Sequence, residues 1–252
     1  MTKKQFFRVV AMLTCLAALA SLHFQVFGQD IRTYIHPRAV GLMPTVQDEF
    51  ELNTPGVYNP AYVLALFEHE SCITLRHSRC LSPAAELKNN REHGVGLSQI
   101  TRAWDKNGRL RFDNLDFYRK KYPDQLWELS WDNVKQRPDL QIRLTMLMMR
   151  DVARPYHSEV GLSKRAVVQF TDSVWNGGRS HLDRARQICK VTTNCNPRLW
   201  DNNVELYLPK SKTPDSRYGG RSLYQINVHH VSDVFKRIDK FYPYYPEYPR
   251  IR

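Results

Sequence analysis

The 252-residue chain lacks the features that define several classes of protein. Its 11 glycines and 14 prolines follow no repeat, which excludes collagen-like and low-complexity chains. Acidic residues are in the minority, because 25 Asp and Glu face 37 Lys and Arg and leave a net charge of +12. At the same time 42% of the residues are hydrophobic, enough for a sizeable core, so wholesale disorder is also excluded.

A long hydrophobic run is missing too, although the N-terminus contains a short one. Three basic residues precede an uncharged run of 14 residues, from Val9 to Leu22. This run is shorter than the roughly 20 apolar residues that a helix needs to cross a bilayer. This layout, with Gly28 at a plausible cleavage point, predicts that residues 1–28 are a secretory signal peptide. An uncleaved anchor over residues 6–27, associated with a membrane, is the alternative, and a lipid-modified Cys15 is a weaker one. Each alternative predicts export.

The few cysteines fit an exported chain. Outside the N-terminal segment they form two close pairs, Cys72 with Cys80 and Cys189 with Cys195. Four cysteines allow three pairings, and an oxidising compartment favours the two local disulfides. A competing hypothesis is a zinc site, because His69 and His77 each precede a cysteine by three positions. We expect no metal and no cofactor, since export favours oxidised cysteines.

The spacing of apolar residues predicts a mainly α-helical fold with a short β-hairpin and loop region. Residues 29–57 lack periodicity and are expected to form an extended leader, residues 58–241 the domain, and residues 242–252 an extended, mobile Tyr/Pro-rich tail. Asn59 and Pro60 suit the N-cap and first position of a buried helix.

Further along the chain, the pair Asn107-Gly108 suits a hairpin turn. Apolar residues then recur at helical spacing in three segments, around positions 140–152, 167–174 and 231–241. Gly177-Gly178 should end the second of these helices.

Three separated segments carry the chemistry. They are Glu70-Ser71 at the end of the predicted buried helix, Gly94-Val95-Gly96-Leu97-Ser98-Gln99, and Trp175-Asn176-Gly177-Gly178. In this order they resemble the motifs of the lytic transglycosylase family of the lysozyme superfamily, and Arg221 to Ile226 is similar to a later segment of that family. The resemblance covers roughly residues 58–240 and implies a lysozyme-like domain. The spacing from Glu70 to Gly94 is longer than usual, which indicates an insertion.

The resemblance also implies the roles of individual residues. Glu70 would be the catalytic acid, and substrate would be bound by the residues that match the motifs, namely Ser71, Gly96, Leu97, Gln99, Trp175, Asn176 and Tyr224. An acid of this kind must stay protonated near neutral pH, and an apolar setting favours the protonated form. Glu68 does not match the motif and would point elsewhere on the helix.

The reaction then depends on whether a second carboxylate takes part. Lytic transglycosylases use one Glu and let the 6-hydroxyl of N-acetylmuramic acid attack, whereas hydrolases pair two carboxylates. Glu92, Asp105 and Asp113 are the candidates for a second carboxylate, and Glu92 lies roughly where goose-type lysozymes carry an acidic residue. We expect the non-hydrolytic route, with a lysozyme-type muramidase as the alternative.

The positive charge suits the same partner. Without the first 28 residues, which hold three basic and no acidic side chains, the net charge falls from +12 to +9. We expect an exported protein with this charge to bind peptidoglycan strands and the anionic cell envelope, and not nucleic acid. Basic clusters such as Arg119-Lys120-Lys121 are then solvated surface. A lysozyme-like protein that binds glycan without cutting it is the alternative from another functional class.

Overall fold

A computed structural model describes residues 30–53, 56–216 and 219–252. The predicted signal peptide or anchor at 1–28 therefore lies outside the described residues. Most of the described chain is helical, as expected, and one small antiparallel sheet lies between the second and third helices. No helix in these three ranges is long and apolar enough to cross a bilayer.

The eight described α-helices follow one another along the chain with the sheet inserted after the second. They are α1 (Pro37–Asn53), α2 (Pro60–Ser71), α3 (Asn114–Lys121), α4 (Pro123–Leu126), α5 (Pro138–His157), α6 (Lys164–Gly177), α7 (Arg179–Val191) and α8 (Leu223–Ile238). Short 3-10 turns are formed by Val134–Gln136, Val204–Tyr207 and Tyr242–Tyr244.

Helix α2 is the buried centre of the molecule. The Asn59 side chain accepts a hydrogen bond from the backbone N–H of Ala61, and Pro60 occupies the first turn, as predicted. Every residue from Pro60 to Glu68 is buried. Helices α1, α5, α6 and α8 contribute side chains to the core around it. The end of α2 is therefore held firmly, and Glu70 lies in its last turn.

The prediction of an extended leader was wrong for residues 37–53, which form helix α1. Ala39, Met43, Val46 and Phe50 recur at helical spacing and are buried against the central core. Pro37 stands at the first helical position, where proline is tolerated, but Pro44 lies inside the helix. The apolar stripe, buried by packing on the domain, outweighs the two prolines.

The C-terminal tail is packed, contrary to the prediction that it is extended and mobile. Tyr242, Tyr245 and Ile251 are buried in the same core as α1 and α2. The Tyr245 hydroxyl donates to the Met43 carbonyl at 3.1 Å, and the Tyr242 hydroxyl accepts from the Ile251 N–H at 2.9 Å. Both segments expected to lie outside the domain therefore belong to its core.

The sheet is a meander of four antiparallel strands, β1 (Glu86–Lys88), β2 (Glu92–Val95), β3 (Ile100–Trp104) and β4 (Leu110–Asp113). The hairpin predicted at Asn107-Gly108 joins β3 to β4, and Gly108 has a φ of +76° that favours glycine. A second hairpin joins β1 to β2 and pairs Glu86 with Val95. It was not predicted, and it brings β1 beside the Gly94 to Gln99 segment.

Two disulfides fix short loops, in the pairing that the sequence favours. Cys72, the C-cap of α2, is bonded to Cys80, and Cys189 near the end of α7 is bonded to Cys195. Because Cys72 and Cys80 are bonded to each other, their thiolates are not available to the zinc site of the competing hypothesis. No three His, Cys, Asp or Glu side chains are grouped to hold a metal ion in the described part of the chain.

Candidate active site

Residues of two sequence motifs line a cleft of about 180 Å³ at the end of α2, and the third motif reaches Glu70 through Trp175. Glu70, Ser71 and Cys72 line this cleft together with Glu86 and Leu87 of β1 and with Gln99. Larger depressions of about 540 and 370 Å³ occur elsewhere, but they are lined mainly by polar and charged surface residues. Among the described residues, neither depression has a buried polar atom without a partner, whereas the cleft does.

Glu70 is anchored through one carboxylate oxygen. Trp175 Nε1 donates to Glu70 Oε1 at 3.0 Å, and His230 Nε2 lies 3.0 Å from the same oxygen. Glu70 Oε2 receives no hydrogen bond from the residues that the structure describes. The Glu70 side chain is 19% exposed, so it combines a buried anchor with access to the cleft.

Ser71 holds the end of α2 rather than contacting Glu70. Its hydroxyl donates to the Phe67 carbonyl at 2.6 Å and accepts from the Leu81 N–H at 3.0 Å. The second bond connects the helix end to the loop just after Cys80, which the disulfide also fixes. Ser71 thereby fixes the backbone from which the Glu70 side chain projects.

The Gly94 to Gln99 segment is shaped by α5. Gln141 Oε1 accepts from the Leu97 N–H at 2.9 Å, and Thr145 bonds the Ser98 hydroxyl at 2.8 Å. Gly96 has a φ of +86°, and a Cβ there would collide with the Gln141 amide. Gly96 and the fully buried Leu97 therefore determine the loop conformation and are not exposed to bind substrate through side chains.

Gln99 and Asn176 each present an unpaired polar atom. Gln99 Nε2 donates to the Gly96 carbonyl at 2.9 Å, while its buried Oε1 has no partner among the described residues. Within the same part of the chain, Asn176 Nδ2 at the end of α6 is buried and unpaired as well. Buried polar atoms are rarely left without hydrogen bonds, and an acceptor beside the cleft suits a ligand with amide or hydroxyl groups.

Tyr224, which the resemblance places among the substrate-binding residues, is not one of the residues that line the cleft. It lies at the start of α8, where Lys212 Nζ is 4.7 Å from the centre of its ring. The partner that α8 gives to Glu70 is His230, two turns further along the helix. Sequence reasoning missed His230 and also Asp172, whose Oδ2 lies 2.8 Å from His230 Nδ1.

The proposed second carboxylates lie outside the residues that line the cleft. Glu92 is exposed at the start of β2. Asp105 Oδ1 accepts from two backbone N–H groups in the hairpin turn, and Asp113 caps α3 and accepts from Trp131 Nε1 at 2.8 Å. The two aspartates thus hold local structure.

The carboxylate that does share the cleft with Glu70 is Glu86 on β1, which sequence reasoning missed. Lys135 Nζ donates to Glu86 Oε2 at 2.8 Å, and His93 Nε2 lies 2.6 Å from Oε1. These hydrogen bonds, that of Lys135 first, lower the pKa of Glu86 and favour its ionised form. The pair Asn89-Asn90 in the sequence could have indicated a hairpin turn, and this turn brings Glu86 on β1 against β2.

The buried pair of Asp172 and His230 could also have been suspected from the sequence, because each is a polar residue on the apolar face of a helix. Asp172 lies among the buried apolar residues of α6, and His230 lies beside Val231 on the buried face of α8. A buried carboxylate requires a hydrogen-bonding or charged partner. The sequence shows that Asp172 needs one but not which helix provides it.

Comparison with known proteins gives no relative from which a function is transferred. No protein family matches this chain, and no curated protein is detectably similar to it. The assignment of a function therefore depends on the geometry around Glu70 and on the motifs themselves.

Proposed function

We propose that the protein is a lytic transglycosylase with a lysozyme-like domain. It would cleave the β-1,4 bond between N-acetylmuramic acid and N-acetylglucosamine in peptidoglycan. The observation that carries the proposal is the position of Glu70. This motif-matched carboxylate reaches a cleft from the end of a buried helix, with one oxygen anchored and the other without a partner among the described residues.

The reaction needs one group that first gives and then takes a proton. Glu70 would protonate the leaving oxygen O4 of N-acetylglucosamine as the bond from C1 of N-acetylmuramic acid to O4 breaks. The C6 hydroxyl of N-acetylmuramic acid would then attack C1 and return its proton to Glu70. Atoms and charge balance without water, and the product carries a 1,6-anhydro end.

Other features agree with a glycan substrate. In the cleft, Gln99 Oε1 offers an acceptor that suits the N-acetyl and hydroxyl groups of the sugars, and Asn176 Nδ2, a buried donor, follows Trp175, which contacts Glu70. The net charge of +9 outside residues 1–28 favours an anionic cell wall, and this attraction should weaken as salt rises. The two disulfides are compatible with an exported, periplasmic or extracellular location.

A hydrolytic muramidase is the second candidate, and Glu86 is the specific observation that favours it. Its ionised carboxylate shares the cleft with Glu70. However, both oxygens of Glu86 are occupied, by Lys135 and by His93, which weakens it as a base for water. This arrangement suits a group that stabilises positive charge on the sugar ring, so we favour the transglycosylase.

Product analysis tests the proposal directly. Purified protein is incubated with isolated cell walls, and the soluble fragments are examined by mass spectrometry. A transglycosylase gives 1,6-anhydro ends, which are lighter by one water than the reducing ends that a muramidase gives. Reducing ends would establish the second candidate. Binding to the walls without soluble fragments would indicate a glycan-binding protein and contradict both.

The matched variants are Glu70→Gln and Glu92→Gln. Loss of the acid should lower wall clearing by about 10²- to 10⁴-fold or more, because general acid catalysis contributes a factor of that size. Glu92→Gln removes an exposed carboxylate outside the cleft and should clear walls at the normal rate. Undiminished clearing by folded Glu70→Gln protein would overturn the assignment of Glu70.

A further inference from the structure

A chain of hydrogen bonds runs from Glu70 into the core. His230 Nε2 lies 3.0 Å from Glu70 Oε1, and His230 Nδ1 lies 2.8 Å from Asp172 Oδ2. The Tyr62 hydroxyl donates to Asp172 Oδ1 at 2.5 Å. Tyr62 and Asp172 are fully buried and His230 is 5% exposed, so only the Glu70 end of this chain reaches the cleft.

Both ring nitrogens of His230 face carboxylate oxygens. When both carboxyl groups are ionised, a neutral imidazole with its one N–H satisfies one of these contacts, whereas an imidazolium with two satisfies both. Burial alone would lower the pKa of His230, but the charge and hydrogen bond of Asp172, with those of Glu70, raise it to about 10. These contacts favour a positively charged His230 at neutral pH.

The other groups around His230 do not compete for this role. From α2, the His69 ring meets the His230 ring edge to face at 4.4 Å, and burial followed by the charge of His230 lowers the pKa of His69 to about 4. From α6 the contact is Asp172. On α8 itself, Asp233 bonds Lys236, and Arg237 lies near Glu68. His69 is neutral, so His230 is the cation in contact with Glu70.

The two donors to Glu70 converge on the same oxygen. Trp175 Nε1 and His230 Nε2 are both 3.0 Å from Oε1. In a protonated carboxyl group, the oxygen that accepts two hydrogen bonds is the carbonyl oxygen, and the proton is on the other one. This contact pattern therefore assigns the transferable proton to Oε2.

We propose that His230, kept charged by Asp172, is a positioning residue for Glu70. It holds Oε1, leaves Oε2 to exchange a proton with the substrate, and stabilises the carboxylate between the two proton transfers. The inference rests on the proposed function. In the first step the Oε2 proton passes to O4, in the second the proton of the attacking hydroxyl returns to Oε2, and His230 keeps both of its protons throughout.

Asp172→Asn gives the sharpest test, because it removes the charge and keeps the shape. The pKa of His230 should fall toward the ordinary value near 6.5, so that His230 becomes neutral above about pH 7. The clearing rate of this variant should then fall at least about fivefold between pH 6 and pH 8, relative to the wild type over the same range. His230→Gln, which cannot titrate, should be slower at every pH without this new decline.

A direct measurement of His230 separates this inference from the proposed function. In protein labelled with ¹⁵N-histidine, both ring nitrogens of wild-type His230 should carry protons from pH 6 to pH 8. His230→Gln identifies the signals, and Asp172→Asn should restore an ordinary titration.

Either of two results would overturn the inference while Glu70 remained the acid. One is a neutral His230 in the wild type at pH 7, a result that does not depend on the folding of Asp172→Asn protein. The other is an Asp172→Asn profile parallel to that of the wild type. Clearing by Glu70→Gln protein would overturn the proposed function instead, whatever the histidine spectrum showed.

Discussion

Two buried ionic networks flank the end of α2, and they begin only two residues apart. Glu68 is fully buried, and its two oxygens accept from Lys240 Nζ at 2.7 and 2.9 Å, with Arg237 at 3.4 Å. Glu70 reaches the cleft, where its partners are the Trp175 indole and the His230 ring. One helix thus presents one carboxylate to the core and another to solvent.

The charged and hydrogen-bonding partners of Glu68 and Glu70 determine whether each carboxylate can exchange a proton with a ligand. Glu68 faces two cations and no cleft, and burial raises its pKa against the opposing effect of Lys240. Burial likewise lowers the pKa of Lys240. Such a pair fixes how α2 meets the C-terminal end of α8 but offers no proton to a ligand. Glu70 has one oxygen that no described residue contacts through a hydrogen bond, and a reactive acid requires such an accessible oxygen.

The largest effect on stability should come from breaking the Glu68 pair. Glu68→Gln leaves the Lys240 ammonium buried without a counter-charge, so the free energy of unfolding should fall by about 3 to 5 kcal/mol. Urea denaturation measures this loss, and Glu92→Gln serves as the exposed control. Below its unfolding transition the variant should still clear walls.

A second variant checks the cause of that loss. Combining Glu68→Gln with Lys240→Met removes both charges and should recover most of the lost stability. If Glu68→Gln lowered the free energy of unfolding by less than about 1 kcal/mol, Glu68 would not be a buried structural ion-pair partner, and its contrast with Glu70 would fail.

A smaller effect is expected from Tyr62→Phe, at the inner end of the Glu70 network. The substitution leaves Asp172 Oδ1 without its hydroxyl donor, so unfolding should become easier by about 1 to 3 kcal/mol. Tyr58→Phe is the matched control, because the Tyr58 hydroxyl bonds His157 at an exposed position and should matter little. An equal loss in both variants, measured by urea denaturation, would contradict a special role for the buried bond.

The last effect on stability is a pH dependence. It comes from His69, whose pKa of about 4 lies below the ordinary value of 6.5. The stability that His69 contributes is complete above pH 6.5 and is lost as pH falls toward 4. One proton is worth at most about 1.4 kcal/mol per pH unit. His69→Gln should remove this acid-side slope from urea-unfolding free energies measured between pH 4 and 6.5, and an unchanged slope would contradict the assignment.

The pH dependence of stability that His230 contributes has the opposite sign to that of His69, although the two rings are in contact. Its folded pKa of about 10 exceeds the unfolded value, so its contribution is complete below pH 6.5 and is lost as pH rises toward 10. His230→Gln should flatten the alkaline side only. The two histidines therefore place the maximum of their joint contribution near pH 6.5.

Several elements were predictable from the sequence because short-range chemistry specifies them. Asn59 and Pro60 begin α2, Gly177 and Gly178 end α6, and the Asn107-Gly108 turn closes a hairpin. Helix α1 and the tail were not predicted. Their prolines suggest extended chain, and their apolar residues find a partner only when the core is assembled.

The candidate site divides in the same way. The motifs predicted roles for Glu70, Gln99, Trp175 and Asn176, and the structure brings Trp175 to Glu70 across 105 residues of sequence. Glu86 was missed because its hairpin was missed. His230 and Asp172 were missed because each lies on a helix face that periodicity alone describes as core.

By itself the sequence determined the mainly helical class, the helix ends, the turns that need glycine, and a carboxylate with a motif around it. These features depend on interactions between residues close in sequence, which form without any tertiary contact. Only the tertiary structure decided that Glu68 is paired with Lys240 and that Glu70 is connected through His230 to Asp172. Burial makes an unpaired charge costly, and packing determines which distant residues lie close enough to pair with it.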